Sequence, residues 1–212
     1  MAQRWVCFDV GETFIDETRV WSIWADLLGV TRLTFMAALG AVIADGDDHR
    51  DVFRMVRRPD WEKLYPEFDR QYGAFRESDL YPDAVSSLEA LRAAGYKLSI
   101  FANQPARRTP ELEALGIRPD AIAMSGELGV HKPELEFYTR ALDYMHADAG
   151  DVAYVGDRLD NDVRPSAAAG MRPVFLRRGP WGVIGDDKGL PEGTLVVDSL
   201  TELVERIGDW WP

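Results

Sequence analysis

Short apolar runs alternate with helical patterns along this chain, and that alternation limits the folds open to it. The runs carry apolar residues on both faces, which is typical of strands buried inside a parallel sheet. Parallel strands need long crossover connections, and a helix after each strand supplies one. We therefore predict an α/β fold with strands at residues 4–9, 96–103, 121–124, 151–156 and 172–176, and a candidate edge strand at 194–197.

Apolar residues spaced three or four positions apart predict three helices between and after these strands. Gly95 follows the first of them, as glycine often does at the end of a helix. The three apolar faces consist of Val85, Leu88 and Leu91; of Leu135, Tyr138, Leu142 and Met145; and of Leu200, Leu203, Val204 and Ile207.

One segment, roughly residues 18–78, shows helical periodicity and no convincing strand. The predicted helix faces consist of Trp21, Trp24, Leu27 and Leu28, then Leu33, Met36, Leu39, Ala41 and Val42, then the aromatic residues Phe53, Trp61, Tyr65, Phe68, Tyr72 and Phe75. A helical block inserted after the first strand would lie above the carboxyl ends of the strands, where ligands bind in such folds. We predict a core formed by 1–16 and 79–212 and a helical cap formed by 17–78.

Composition excludes several classes of protein. The chain has 212 residues, 46% of them hydrophobic, which suits one globular core with a small insert. A formal net charge of −12 makes nucleic acid an unsuitable partner, because both would be negative. No apolar run reaches the ~20 residues of a membrane helix. The single Cys7, set among apolar residues, is interpreted as a core thiol, and we expect a cytoplasmic protein.

Polar side chains that bear chemistry follow the predicted strands. They are Asp9, Asn103, Lys132, Asp157, Asp160 and Asp162. Each alone has an ordinary structural explanation as a helix cap, a turn residue or a solvated charge. Together they map to one edge of the sheet, where two or three carboxylates and one ammonium group suit Mg²⁺ and an anionic substrate.

In this order, these residues resemble the haloacid dehalogenase superfamily of hydrolases, specifically its branch with a helical cap. The resemblance covers nearly the whole chain. The four motifs are "FDVGET" (8–13), "IFAN" (100–103), "GVHKPELEFY" (129–138) and "VGDRLDNDVRPSAAAGM" (155–171). The last two are the most specific. The resemblance implies a Rossmann-like, doubly wound parallel sheet.

The resemblance also implies a role for each motif residue. Asp9 would be the nucleophile that forms an aspartyl-phosphate, and Lys132 would pair with Asp9 and the phosphate. Mg²⁺ would be held by Asp9, the backbone carbonyl of Gly11 and Asp157, with Asp162 as a ligand or close by. Two residues, Thr13 and Asn103, would position a small phosphorylated substrate.

Two positions depart from the family pattern. Gly11 stands where relatives usually carry an aspartate that protonates the leaving group, and such a loss typically removes about 10²–10⁴ in rate. Ala102 stands where a serine or threonine usually grips the phosphate, which removes about 10²–10³ by analogy with oxyanion holes. Glu12 stands where relatives carry glycine. It would either replace the lost aspartate or have a structural role, facing solvent or capping the next helix, and we favour the structural role.

Three hypotheses for function follow. The first, which we favour, is an Mg²⁺-dependent phosphatase in which Glu12 or a substrate group supplies the proton. The second is cleavage of a carbon–halogen or carbon–phosphorus bond. Retained metal carboxylates weigh against a dehalogenase, and Lys63, the sole lysine in the cap, lacks signs of a Schiff-base role. The third is a phosphate-binding protein with weakened or absent catalysis.

For two further segments the sequence gives only general structural predictions. Residues 45–51 are acidic but lack the distal glutamate of a calcium loop, so we interpret them as a solvated turn. Trp210 and Trp211 at the end of the chain would either contact a second copy or pack back on the core. We expect a monomer or a homodimer.

Overall fold

A six-stranded parallel sheet organises the protein, as the alternating pattern predicted. The computed structural model describes residues 3–185 and 189–211, which form strands in the order β3-β2-β1-β4-β5-β6. The strands are β1 (Trp5–Phe8), β2 (Lys97–Ala102), β3 (Ala121–Met124), β4 (Val152–Gly156), β5 (Arg172–Leu176) and β6 (Leu195–Val197). The predicted strands and the α/β class are confirmed.

Helices connect these strands and cover both faces of the sheet. They are α1 (Thr18–Leu28), α2 (Arg32–Asp45), α3 (Asp51–Met55), α4 (Tyr65–Tyr72), α5 (Ala84–Ala93), α6 (Arg108–Ala114), α7 (Ser125–Leu128), α8 (Leu135–Met145), α9 (Arg164–Ala168), α10 (Gly179–Ile184) and α11 (Leu200–Trp210). Short 3₁₀ segments lie at Trp61–Leu64, Glu77–Asp79 and Ala149–Asp151, and a π-helical turn lies at Leu159–Val163. The three helices predicted in the core region are therefore present.

Local chemistry fixes several helix ends. The side chain of Thr31 accepts a hydrogen bond from the amide of Thr34 and caps the start of α2. Ser199 does the same for α11 through the amide of Glu202. Gly29 follows α1 in a left-handed conformation that costs a glycine little.

The central strands place the polar residues together. β1 pairs with β2 on one side and with β4 on the other, all in parallel. Asp9, Asn103 and Asp157 each directly follow one of these three strands. Since parallel strands end at the same edge, the three side chains start from adjacent positions above the sheet.

The region predicted as the cap contains helices, but one predicted helix face there and one in the core region need correction. In α2, Leu33 is 82% exposed and Ala41 is exposed, whereas the buried residues are Phe35, Leu39, Val42 and Ile43. This helix is apolar on most sides, so spacing alone does not reveal which face is buried. In α8, the first residue, Leu135, is 53% exposed, whereas the buried residues are Phe137, Tyr138, Ala141 and Met145. The division into core and cap at residues 17 and 78 stays our prediction.

No single described helix is long and apolar enough to cross a membrane. Helices α1 and α2 together pass the same test of length and composition, but they are bent by 116° at the break between them.

The tail packs back on the core. Trp211 is 3% exposed and lies beside Tyr96, and the guanidinium carbons of Arg4 and Arg172 are 5.1 and 5.2 Å from its ring centre. The indole N–H of Trp210 donates to the carbonyl of Gly193. Cys7 is fully buried and burial raises its pKa to about 12, as a core thiol requires.

The packing of Trp211 predicts a measurable loss of stability. Trp211→Ala should lower the free energy of unfolding by about 3 kcal/mol, because a buried indole is replaced by a cavity. Trp210→Ala, at a partly exposed position, is the matched control and should have a smaller effect. Urea unfolding followed by circular dichroism measures both, and equal losses would contradict the buried position of Trp211.

Candidate active site

Three carboxylates and one ammonium group form the centre of the site. Asp9, Asp157 and Asp162 are buried, and they offer carboxylate oxygens that all lie within 4.8 Å of one another. The Nζ atom of Lys132 lies 2.7 Å from Oδ1 of Asp9 and 2.5 Å from Oδ1 of Asp162. The structure therefore brings together four of the five charged residues that the sequence singled out, whereas Asp160 pairs with Arg158.

Lys132 is held as a charged group. Burial disfavours its ammonium form, but attraction to Asp162 and Asp9 outweighs burial and raises the pKa of Lys132. Asn103 fixes its backbone, since the amide of Asn103 donates to the Lys132 carbonyl and accepts from the Lys132 N–H, at 2.9 and 2.8 Å. Asn103 thus orients Lys132, while its predicted contact with substrate stays a prediction.

The two carboxylates after β4 have different surroundings. Both carboxylate oxygens of Asp162 have partners. One accepts a hydrogen bond from the ammonium of Lys132, and the other accepts from the backbone N–H of Arg158 at 3.0 Å. The Oδ2 atom of Asp157 is buried and has no hydrogen-bond partner among the described residues. Burial, together with the charges of Asp162 and Asp9, raises the pKa of Asp157 well above its ordinary value. A buried carboxylate oxygen without a hydrogen-bond partner is available to a cation, which would compensate its charge.

Glu12 has a structural position. Its Oε2 accepts from the Tyr81 hydroxyl at 2.5 Å, and its Oε1 accepts from the backbone N–H of Glu17 at 3.0 Å, at the start of α1. Gly179 packs so tightly against this carboxylate that a side chain there would clash with it. Glu12 adopts a left-handed φ of 50°, which points its side chain away into this buried niche. The expectation that Glu12 faces solvent is wrong, because its side chain is buried, whereas its contact with the backbone at the start of α1 fits the helix-capping alternative. A part of Glu12 in the reaction stays a prediction.

Glu17, by contrast, reaches the position left open by Gly11. A Cβ atom built on Gly11 would lie 2.7 Å from Oε1 of Glu17. Burial, together with the charges of Glu12 and Asp9, raises the pKa of Glu17 to about 8. Within residues 3–185 and 189–211, its carboxylate has no hydrogen-bond or ion-pair partner.

The remaining motif residues lie below the site. Ala102 is fully buried at the end of β2 and offers no hydroxyl. Thr13 is also fully buried, its carbonyl accepts from Arg178 at 2.9 Å, and its hydroxyl has no partner in the described part of the chain. Its role in substrate binding stays a prediction.

A cavity of about 790 Å³ opens above the carboxylates. Besides the motif residues, its wall includes Glu17, His49, Arg158 and Trp181. The His49 ring lies 6.0 Å from that of Trp21 and 6.1 Å from that of Trp181. The segment 45–51, expected to be a solvated turn, therefore contributes to the cavity, a role that its acidic composition did not indicate.

A second cavity of about 330 Å³ adjoins the first and is mainly aromatic. Its rings are those of Trp21, Trp24, Phe53, Trp61, Tyr65, Phe68, Tyr72 and Phe75. Glu17, Trp21 and His49 line both cavities, so they stand at the passage between the charged site and the aromatic cap.

With this fold and site, comparison with known families gives a clear result. The sequence profile of the haloacid dehalogenase-like hydrolases matches residues 3–170. The chain belongs to this family, which confirms the resemblance to the superfamily; its assignment to the branch with a helical cap stays a prediction.

Similar proteins include enzymes of two kinds. A glyceraldehyde 3-phosphate phosphatase of Methanocaldococcus jannaschii is 34% identical over 130 residues, which is 60% of this chain and 56% of that protein. An (S)-2-haloacid dehalogenase 4A of Burkholderia cepacia is 30% identical over 116 residues, or 52% of this chain and 48% of the relative. This chain thus spans about half the length of these curated relatives.

Solved structures show the same fold. The HAD-family protein YfnB of Bacillus subtilis, crystallised with magnesium, superposes with a TM-score of 0.69 at 18% identity. The match covers 98% of this chain and the whole of that one. At this level of identity the comparison establishes the fold, including the Rossmann-like sheet.

The position of Glu12 generates a prediction about stability. Tyr81→Phe should lower the free energy of unfolding by about 1 to 3 kcal/mol, because it leaves a buried carboxylate oxygen without its donor. Tyr144→Phe is the matched control, since Tyr144 is 53% exposed. Chemical denaturation of both variants provides the comparison, and a neutral Tyr81→Phe would mean that Glu12 has another partner in solution.

Proposed function

We propose that this protein is an Mg²⁺-dependent phosphatase that hydrolyses a small phosphorylated metabolite through an aspartyl-phosphate on Asp9. The observation that carries the proposal is the buried set of Asp9, Asp157 and Asp162 around the ammonium of Lys132. Such a set binds a divalent cation and a phosphoryl group together. The phosphatase relatives support the same class of reaction.

The residues present fit a magnesium ion. Three carboxylates and one ammonium leave two negative charges uncompensated, and Oδ2 of Asp157 is a buried oxygen without a partner. Asp9, the Gly11 carbonyl and Asp157 would hold the ion, with Asp162 beside it through its contact with Lys132. When bound, the ion would offset the repulsion between carboxylate and phosphate and polarise the phosphoryl oxygens.

The chain's own residues account for the nucleophilic step. The Nζ atom of Lys132, 2.7 Å from Oδ1 of Asp9, holds the nucleophile in position for attack. As the Asp9 oxygen bonds to phosphorus, the same ammonium stabilises the negative charge on the phosphoryl group. The side chain of Asn103 fixes the position of the Lys132 backbone through two hydrogen bonds and so supports this contact.

The surroundings favour a small charged substrate. The cavity above Asp9 has the size of a metabolite site, and it meets the aromatic cavity at Trp21 and His49. The net charge of −12 disfavours nucleic acid as a partner. We propose a cytoplasmic enzyme that works as a monomer or homodimer.

Asp9 provides the direct test of this function. Asp9→Asn should abolish release of phosphate, because an amide does not replace the carboxylate nucleophile. A panel of phosphomonoesters and acyl phosphates, assayed with Mg²⁺ and with EDTA, measures this against the wild type. Turnover that survives in Asp9→Asn would contradict the covalent route, and turnover that survives EDTA would contradict the metal.

Metal binding is tested separately from activity. Asp157→Asn should weaken Mg²⁺ binding at least about tenfold, since it removes a buried ligand. Asp160→Asn is the matched control from the same turn, because Asp160 is 63% exposed and pairs with Arg158. Isothermal titration with Mg²⁺ alone reports both affinities. Equal affinities for the two variants would remove Asp157 from the proposed metal site.

A further inference from the structure

We propose that Glu17 is the proton carrier of this site and takes the role of the aspartate that Gly11 replaces. It would protonate the leaving group in the first step and activate water in the second. This inference rests on the proposed function and names the residue that completes it.

The first observation is the space beside Gly11. The carboxylate of Glu17 occupies the volume that a side chain on residue 11 would enter, with Oε1 2.7 Å from the position of a Cβ atom there. A glycine at this position therefore makes room for a carboxylate that arrives from another part of the chain. The carboxyl group thus comes from a residue six positions later in the sequence but lies beside residue 11 in the structure.

The second observation separates Glu17 from the other nearby glutamate. Both oxygens of Glu12 are already bound, one by the Tyr81 hydroxyl and one by the backbone N–H of Glu17. The Glu17 carboxylate has no partner within the described part of the chain and lines the cavity together with Asp9. Glu12 thus holds the backbone that carries Glu17, and Glu17 is the group that remains free to exchange a proton.

The third observation is the direction of approach. Glu17 lines the cavity over Asp9 and also the aromatic cavity beneath the cap. A phosphorylated substrate with its phosphoryl group at Asp9 and Lys132 would direct its leaving group towards this passage. Because Glu17 lines both cavities, its carboxyl group would lie beside such a leaving group.

The two steps balance with Glu17 as the carrier. In the first, an Asp9 oxygen bonds to phosphorus while the bond from phosphorus to the leaving oxygen breaks, and that oxygen takes the proton of the Glu17 carboxyl. In the second, the Glu17 carboxylate takes a proton from water as the water oxygen bonds to phosphorus. The bond from phosphorus to Asp9 then breaks, phosphate leaves, and Glu17 is protonated again.

Dependence on the leaving group tests this role. An alkyl phosphate needs a proton on its departing oxygen, whereas p-nitrophenyl phosphate releases a stable phenolate. Glu17→Gln should lower kcat/KM for the alkyl phosphate by about 10²–10⁴ and for p-nitrophenyl phosphate by less than about tenfold. Stopped-flow measurement on the variant should show a burst of one nitrophenolate per site, followed by slow turnover, because water is no longer activated.

A swap of positions gives an independent test. Gly11→Asp alone should be poorly active, because its side chain would collide with Glu17. The double variant Gly11→Asp with Glu17→Ala moves the carboxyl group to residue 11, whose φ lies outside the left-handed region. It should recover alkyl phosphate turnover to at least about tenfold above Glu17→Gln. Glu113→Gln, exposed on α6, is the control for the assay.

The outcomes are distinguishable. Selective loss in Glu17→Gln with recovery in the double variant supports the proposal. Equal loss on both esters, or no loss on either, overturns the role of Glu17. In that case the proposed phosphatase function still stands if hydrolysis depends on Asp9. The same selective loss in Glu12→Gln instead would assign the role to Glu12. A wild type that hydrolyses neither ester overturns the proposed function itself. Circular dichroism and Mg²⁺ titration of every variant exclude loss of fold or metal site.

Discussion

The buried ammonium of Lys132 is the interaction on which the rest of the site depends. It contacts Asp9 and Asp162 at 2.7 and 2.5 Å, and without it three buried carboxylates would repel one another within 4.8 Å. Removing one partner of a buried ion pair typically costs about 3–5 kcal/mol, because it leaves the other charge uncompensated, so loss of the Lys132 ammonium would destabilise the fold. Its positive charge does not balance three carboxylates, and the remaining negative charge is what makes the site suited to a divalent cation.

Glycine at residue 11 and glutamate at residue 12 are best understood as one rearrangement of the first motif. Glu12 turns into a niche formed by Tyr81 and Gly179 and caps α1 through the backbone of Glu17. That contact holds the backbone of Glu17 at the start of α1, and the Glu17 side chain extends back into the space beside Gly11. A carboxyl group therefore lies in the space that a side chain on residue 11 would enter.

Sequence reasoning predicted the sheet because buried parallel strands are continuous apolar runs, and it placed Asp9 and Asp157 correctly after β1 and β4. Lys132 follows α7 rather than a strand, and it reaches the same edge through its contacts with Asp9 and Asp162. Sequence reasoning missed Glu17, because a residue six positions away returns to Gly11 only through the turn that Glu12 shapes. It also assigned Leu33 to a buried face, since a helix apolar on most sides carries no clear signal of orientation. His49 and Trp181 were missed because an acidic loop and a late helix meet only in three dimensions.

Direct detection of the covalent intermediate tests the central claim best. The enzyme would be mixed with Mg²⁺ and an acyl phosphate, quenched in acid, digested and examined by mass spectrometry. Our account predicts that one phosphoryl group is added to the peptide containing Asp9, and that Asp9→Asn lacks it. Hydrolysis of the substrate with no phosphorylated peptide, or with the label on another residue, would contradict the account.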